Sequence, residues 1–315
     1  MHRKTLFLLS WVVGGFAALV ISFICLPTIS RAQAKADQKP GGAVDWKSVA
    51  DVFGFPGDVL PGGVIRFNMP RKDLHVSVGG TEIKPGLALG GWAFHMVGKN
   101  DAMVMGDLVL TEEEVAPVMK TLEDGGVEVT ALHNHLIGES PRILYIHMGG
   151  HGDPVKMART IKQAVALTKT PLPQGGGAKE SEDLGFDVAA VEKILGHPGT
   201  MSGGVLHVNV PRAEKLTEEG MDTPPSMGAG TSINFQPTGN GKAAIAGDFA
   251  MRWKEVGPVT KVLQDNGVQA VALHSHALND VPRLFYMHFW ANDDAVKLAK
   301  TLRSALDNIN SKKGQ

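Results

Sequence analysis

The sequence predicts an α+β protein of two tandem homologous domains, each a mainly antiparallel sheet with helices on one face, the pair packed with pseudo-twofold symmetry. Three observations predict this. The stretch LHNHLIGESPRILYIH (132–147) recurs 141 residues later as LHSHALNDVPRLFYMH (273–288). The flanks recur too: GGVIRFNMPR (62–71) as GGVLHVNVPR (203–212), GDLVLTEEEVAPVMKTLEDGGVEVTAL as GDFAMRWKEVGPVTKVLQDNGVQAVAL, and DPVKMARTIKQAV (153–165) as DDAVKLAKTLRSAL. Within each copy, helical and alternating patterns follow one another so that the last five elements read β-α-β-β-α.

The elements can be justified in order. Residues 45–54 and 187–196 are short amphipathic helices ended by glycine. The GGV segments alternate as strands and stop at Pro-Arg. The middle of each copy diverges, and in the second it reads as a Gly/Pro-rich loop, TEEGMDTPPSMGAG. A helix over 111–124 starts at Thr111 with three glutamates behind it, which suits an N-cap and the helix dipole, and ends at Gly125-Gly126. Two strands and a closing helix (153–168) follow. The resulting boundaries are repeat domain 1 at 44–168, a Pro/Gly-rich linker at 169–185, repeat domain 2 at 186–310 and a tail at 311–315.

The N-terminus reads as a secretory signal peptide over 1–34. MHRK precedes an uncharged apolar run of about 21 residues, and Ala32-Gln33-Ala34 fits a small-x-small cleavage site. The run is long enough to span a bilayer, so an uncleaved anchor is the alternative. Residues 35–43 are a polar lead-in. Either way the protein is expected to be exported, periplasmic or extracellular, touching a membrane only through this segment. Lys plus Arg is 31 against 32 for Asp plus Glu, which lacks the basic footprint of a nucleic-acid binder. Cys25 is the single cysteine, so a disulfide or thiolate metal site downstream is excluded.

Six of the 12 histidines lie in the repeated stretch: His133, His135 and His147, and His274, His276 and His288. Side chains alternate across a strand, so His133 and His135 share a face, as do Tyr145 and His147. A hairpin turning near 138–141 would set His133 opposite His147 and His135 opposite Tyr145. Leu144, Ile146 and Met148 would then face the core. Three imidazoles converging from adjacent strands suit a divalent transition metal, zinc first, with copper or iron as alternatives. Glu139 and Asp280 are candidate further ligands or general bases. Arg142 and Arg283 are candidate holders of a small polar or anionic ligand, or partners of those acids. Tyr145 and Tyr286 neighbour the histidines. Three readings stay open: a metal-binding protein, a metal-free envelope or polar-ligand binding module, and a metal-dependent hydrolase. Hydrogen-bonded histidines on a sheet face are the bland alternative to all three. His75, His95, His151 and His207 are not kept in the other copy and read as surface or lobe-specific residues. No P-loop, GxSxG or dinucleotide fingerprint is present.

HNHLIGE has the HxHxxxE spacing of the first cupin motif. Beyond it, Ile146 stands where the cupin pattern wants glycine, and helices interrupt what should be an all-β barrel. The duplicated unit as a whole, with GGV…PR, the ALHNHL segment, PR…Y.H and the DPVKMARTIKQAV helix, resembles the LppY/LpqO-like family of exported bacterial proteins. The resemblance implies export and the duplicated architecture, and supplies no catalytic residues. Some members are lipoproteins. Here Phe23 and Ile24 precede Cys25 where a lipoprotein signal wants small residues.

Overall fold

The computed structural model describes residues 46–96, 101–173 and 183–314. The signal-peptide reading, the His95 side chain and most of the linker lie outside the described residues. Residues 44–315 form one compact unit holding both repeats. The first lobe runs α1 (Lys47–Phe53), β1 (Asp58–Leu60), β2 (Val64–Phe67), β3 (Ser77–Val78), β4 (Thr81–Glu82), α2 (Pro85–Ala88), β5 (Gly91–Met96), β6 (Ala102–Leu110), α3 (Glu112–Asp124), β7 (Glu128–His133), β8 (Glu139–Ser140), β9 (Leu144–Gly152) and α4 (Pro154–Val165). The second runs α5 (Val188–Leu195), β10 (Gly199–Ser202), β11 (Val205–Pro211), β12 (Thr217–Glu218), β13 (Met221–Asp222), a 3-10 turn at Pro225–Met227 where the first lobe has α2, β14 (Gly230–Gly239), β15 (Lys242–Met251), α6 (Trp253–Asp265), β16 (Gln269–His274), β17 (Asp280–Val281), β18 (Phe285–Asp294) and α7 (Ala295–Leu306).

The divergent middles are therefore structurally alike. The stretch expected to be a loop in the second lobe carries β12, β13 and the 3-10 turn, matching β3, β4 and α2. Glycines at positive φ, Gly79 and Gly80 in one copy and Gly220 in the other, turn both small hairpins although the side chains around them differ.

Each lobe has a six-stranded antiparallel sheet, ordered β1-β2-β5-β6-β9-β7 and β10-β11-β14-β15-β18-β16. Three-stranded sheets, β4-β3-β8 and β13-β12-β17, sit beside them. The helix ends follow local chemistry. Asp153 accepts from Lys156 N at 2.7 Å and Asp294 from Lys297 N at 2.8 Å, capping α4 and α7. Glu114 reaches back to Thr111 N at 2.9 Å at the start of α3. The arginine of each GGV…PR segment is a buried clamp. Arg71 donates to the Val109 carbonyl, Glu114 and Asp73, and Arg212 to the Ala250 carbonyl, Glu255 and Glu214. Paired this way, the buried charges keep their hydrogen bonds.

One face of each sheet packs on its own helices. Ile65, Phe67, Val104, Ile146 and Met148 join Phe53, Val118, Leu122 and Ile161 in the first core. Val208, Phe235, Phe249, Met287 and Phe289 join Leu195, Val259 and Leu302 in the second. The opposite faces meet each other. A mixed cluster brings Val78, Leu87, Leu136 and Tyr145 of one lobe against Val205, Ala244, Ala246 and Trp290 of the other. Interlobe hydrogen bonds reinforce it, among them Lys84 N and Gln236 Nε2 through Oε1 of Gln236 and the Glu82 carbonyl, at 2.7 and 2.6 Å. The layers thus run helices, sheet, sheet, helices. The face the sequence assigned to the polar cluster is an interior seam between the lobes.

Candidate metal centre

Three adjacent strands present the polar groups of each lobe to that seam. In the first, Asp107 on β6 lies directly opposite His147 on β9, and β7 ends at His133. In the second, Asp248 on β15 lies opposite His288 on β18, and β16 ends at His274. His135 and His276 follow two residues later, past the strand ends. The expected cross-strand register is off by two residues: Ala131 faces His147 and His133 faces Tyr145. The connection is not a regular hairpin, because β8 between the two strands pairs with β3 in the small sheet, so the register extrapolated from a turn at 138–141 fails at the histidines. A ladder shift between Val129 and Ala131 follows further from the turn. The second lobe repeats this, with His274 facing Tyr286 and a shift between Ala270 and Leu273.

The six histidines converge into one cluster. The rings of His133 and His274 lie 3.9 Å apart, those of His135 and His288 3.6 Å, and those of His147 and His276 4.4 Å. The last two pairs exchange equivalent positions between the lobes, the reciprocal pattern of twofold-like packing. Three overlapping sets bring one ligand atom from each member within 4.8 Å of the others: His133, His135, His147 and His288; His147, His274 and His276; Asp248, His274 and His288. Two of the three sets mix the lobes. Tyr145 and Tyr286 stack on His135 and His276, with centroids 3.2 and 3.5 Å apart. Burial first, then nearby carboxylates, raises both phenols above their ordinary pKa, so they serve as neutral walls.

The Nε2 atoms of all six histidines are buried and make no hydrogen bond. The Nδ1 atoms of His133 and His288 face the Asn134 and Gly247 carbonyls at 3.1 and 2.9 Å. A carbonyl only accepts, so these Nδ1 atoms carry the proton and their Nε2 lone pairs are bare. Metal-bound histidines almost always donate their other ring N–H in this way, to a carboxylate, a backbone carbonyl or water. His276 Nε2 stands 2.9 Å from Asp248 Oδ2 but off the line of a hydrogen bond. Burial is the leading cause that lowers the imidazoles: His133 to about 4, His274 to about 2, and His135, His147 and His288 also below the ordinary value. At neutral pH these five rings are neutral and free to donate.

The two carboxylates differ. Burial pushes Asp107 up to about 6, against the opposing pull of His276 and Arg66. Burial acts on Asp248 as well, but His288 and His276 outweigh it and hold its carboxyl below the ordinary range. Neither acid was singled out from the sequence, although both stand in the repeated Gly-Asp at the 141-residue offset. The acids that were singled out lie elsewhere. Asp280 accepts from Arg283 and from Leu284 N, both at 2.8 Å, and so fixes its own turn. Arg283 also donates to the Ala277 and Leu278 carbonyls. Glu139 sits on β8 opposite Val78 and belongs to none of the three sets. Arg142 is exposed, 3.7 Å from Glu112.

The fold and seam define a tandem-duplicated α+β protein with a histidine cluster shared by its two halves. The chain belongs to the family described as Domain of Unknown Function (DUF1259), whose model matches residues 47–167 and 189–308. Among curated proteins none matches. Two solved structures are similar at a low level. One is EtuB from Clostridium kluyveri, at 11% identity and a TM-score of 0.19, covering 79% of this chain and 90% of that one. The other is the trimeric bacterial microcompartment shell protein PduB, at 12% identity and a TM-score of 0.19, covering 81% and 95%. At these values neither likeness bears on fold or function.

Proposed function

We propose that the protein binds a divalent transition metal in the seam, using imidazoles from both lobes. The observation that carries this is the set of six buried Nε2 atoms without hydrogen bonds. Leaving a buried polar atom unpaired costs about 1–3 kcal/mol, and six gathered in one place call for a common partner. A cation fits the donor set: neutral rings, a nearby ionised carboxylate in Asp248, and no thiolate. Zinc suits nitrogen and oxygen ligands best, and copper and iron accept them too. His133, His135, His147 and His288 would hold it on one side, with His147, His274 and His276 on the other. Such a cation supplies Lewis acidity, which is how a hydrolase reading would operate. In that reading Asp107 is the carboxyl group placed to take a proton, and His135 and His276 are held in position by their stacked tyrosines. We place the protein outside the cytoplasm, on its N-terminal sequence and the resemblance to LppY/LpqO-like exported proteins.

The test is elemental analysis of the untagged protein purified without chelator, beside the double variants His133→Ala/His135→Ala and His274→Ala/His276→Ala. About one or two metals per chain are expected, by ligand count. His133→Ala/His135→Ala strikes only the first set and His274→Ala/His276→Ala the other two, so each double variant should lower the metal content while leaving one group of ligands in place. Wild-type protein that takes up no zinc, copper or iron on reconstitution would overturn the reading.

A further inference from the structure

A cavity of about 160 Å³ opens beside the histidine cluster, with His276 as the wall between them. Met103, Met105, Thr130, Gly149 and His151 of the first lobe line it, facing Glu218 and Glu219 of the second. Its size corresponds to about five water molecules at bulk density. Besides His276, two groups in its lining carry a buried atom without a hydrogen bond. Glu218 is only 9% exposed. Its Oε1 accepts from Asn279 N at 3.1 Å, whereas Oε2 is buried without a hydrogen bond. His151 Nε2 is likewise buried and unpaired, while its Nδ1 lies 3.5 Å from Glu219 Oε2. Burial, with Asp280 and Glu219 adding to it, makes the Glu218 carboxylate costly, which a cation would relieve.

The equivalent corner on the other side of the seam is packed shut at its inner end by an apolar cluster, while Asn292 at its rim borders an open groove with Gly80, Thr81 and Gln236. Trp290 stands where the open corner has Gly149, Val271 where it has Thr130, and Asn292 where it has His151. Val78 pairs with Glu139 as Glu218 pairs with Asp280, and so occupies the place of Glu218. Val78, Ala244, Ala246 and Trp290 are buried in one apolar cluster, with Val271 packed against it. From the sealed to the open corner, Trp290 to Gly149 removes bulk and Val271 to Thr130 and Val78 to Glu218 add polar groups, whereas Ala244 and Ala246 give way to the larger Met103 and Met105.

We propose that the open corner is a second cation site: an antechamber that takes a hydrated divalent cation between Glu218 Oε2 and His151 Nε2 and passes it to the histidine centre past His276. This rests on the metal reading above. Glu219 orients His151 from behind, and the neighbouring carboxylate Glu128 adds to the negative field.

The test uses the full chain stripped of metal and mixed with Co²⁺, with uptake followed by cobalt absorption in a stopped-flow instrument. Glu218→Gln keeps the shape and removes the charge. Gly149→Trp copies the sealed corner. In both, the histidine centre should load with cobalt at least about tenfold more slowly, the scale of a charged funnel's effect on association. Unchanged loading rates in both variants would overturn the antechamber and leave the metal centre standing. If Gly149→Trp does not fold, Glu218→Gln decides alone. A wild-type protein that takes up no cobalt would overturn the centre and the antechamber together.

Discussion

The two corners of the lobe seam descend from the same repeat and have become opposites. At one, Trp290, Val271 and Val78 close the sheets over an apolar cluster. At the other, Gly149, Thr130 and Glu218 leave a polar cavity against His276. Between them the six histidines remain paired across the lobes. The centre has been held constant while its surroundings were divided into a side that packs and a side that admits. Stability and access are assigned to different ends of one interface.

The largest expected effects test the shared centre. His147 and His288 each belong to two of the ligand sets, whereas His135 and His276 belong to one. His147→Ala and His288→Ala should each remove most of the bound metal, and His135→Ala or His276→Ala a smaller share, read by elemental analysis. Equal losses from all four would show that the sets do not interleave as described.

Next comes the sealed corner. Trp290→Gly deletes a buried indole, and large-to-small changes of this kind cost about 3–5 kcal/mol. At the open corner, Gly149→Ala adds a Cβ that would stand 3.2 Å from the Thr130 methyl, a contact the side chain can relax. It should cost about 1 kcal/mol or less. Chemical denaturation of the two variants gives both numbers. A similar cost at each would mean that the corners share the packing load after all.

The pH dependence of the metal-free protein is a smaller effect with a defined sign. An imidazole depressed on folding binds its proton more readily in the unfolded chain. Its contribution to stability is full above 6.5 and is lost as pH falls toward the folded value, about 4 for His133. His135, His147, His274 and His288 act in the same direction. Asp107, raised from 3.8 to about 6, acts oppositely, stabilising below 3.8 and losing that as pH rises through 6. Glu218, raised by burial, acts with Asp107, and His197, lowered by burial, acts with the other imidazoles; six imidazoles against two carboxyls predict a net loss of stability from pH 7 to pH 5. Denaturation curves at the two values check it, and a protein more stable at pH 5 would mean that the rings are not buried as neutral groups. The smallest expected effect is on metal content in Glu139→Ala and Asp280→Ala. Both should stay near wild type, since neither acid joins a ligand set.

Much of this architecture was legible in the sequence. The duplication fixed equivalent elements, and two-residue alternation put His147 and Ile146 on opposite faces as observed. The register was not legible, since β8 leaves the connection between β7 and β9 to pair with β3, a long-range contact that the local sequence does not announce. Glu139 stands out in the sequence because it lies inside the repeated histidine stretch, where Asp280 keeps its charge, and Asp107 lies outside that stretch. Cross-strand pairing instead brings Asp107, 40 residues away, opposite His147. The joining of two expected sites into one lay furthest out of reach. It depends on which sheet faces meet, and that is decided by the distribution of apolar residues such as Leu87, Tyr145 and Trp290 over both lobes.

The linker between the repeats has a consequence of its own. Two separate copies of one chain, paired about a twofold axis, must carry the same residue at both corners. Glycine at one would mean glycine at the other, and tryptophan likewise. A tandem chain escapes that constraint and holds Gly149 and Trp290 in equivalent places at once. Covalent fusion is what permits this seam to have a front door and a back wall.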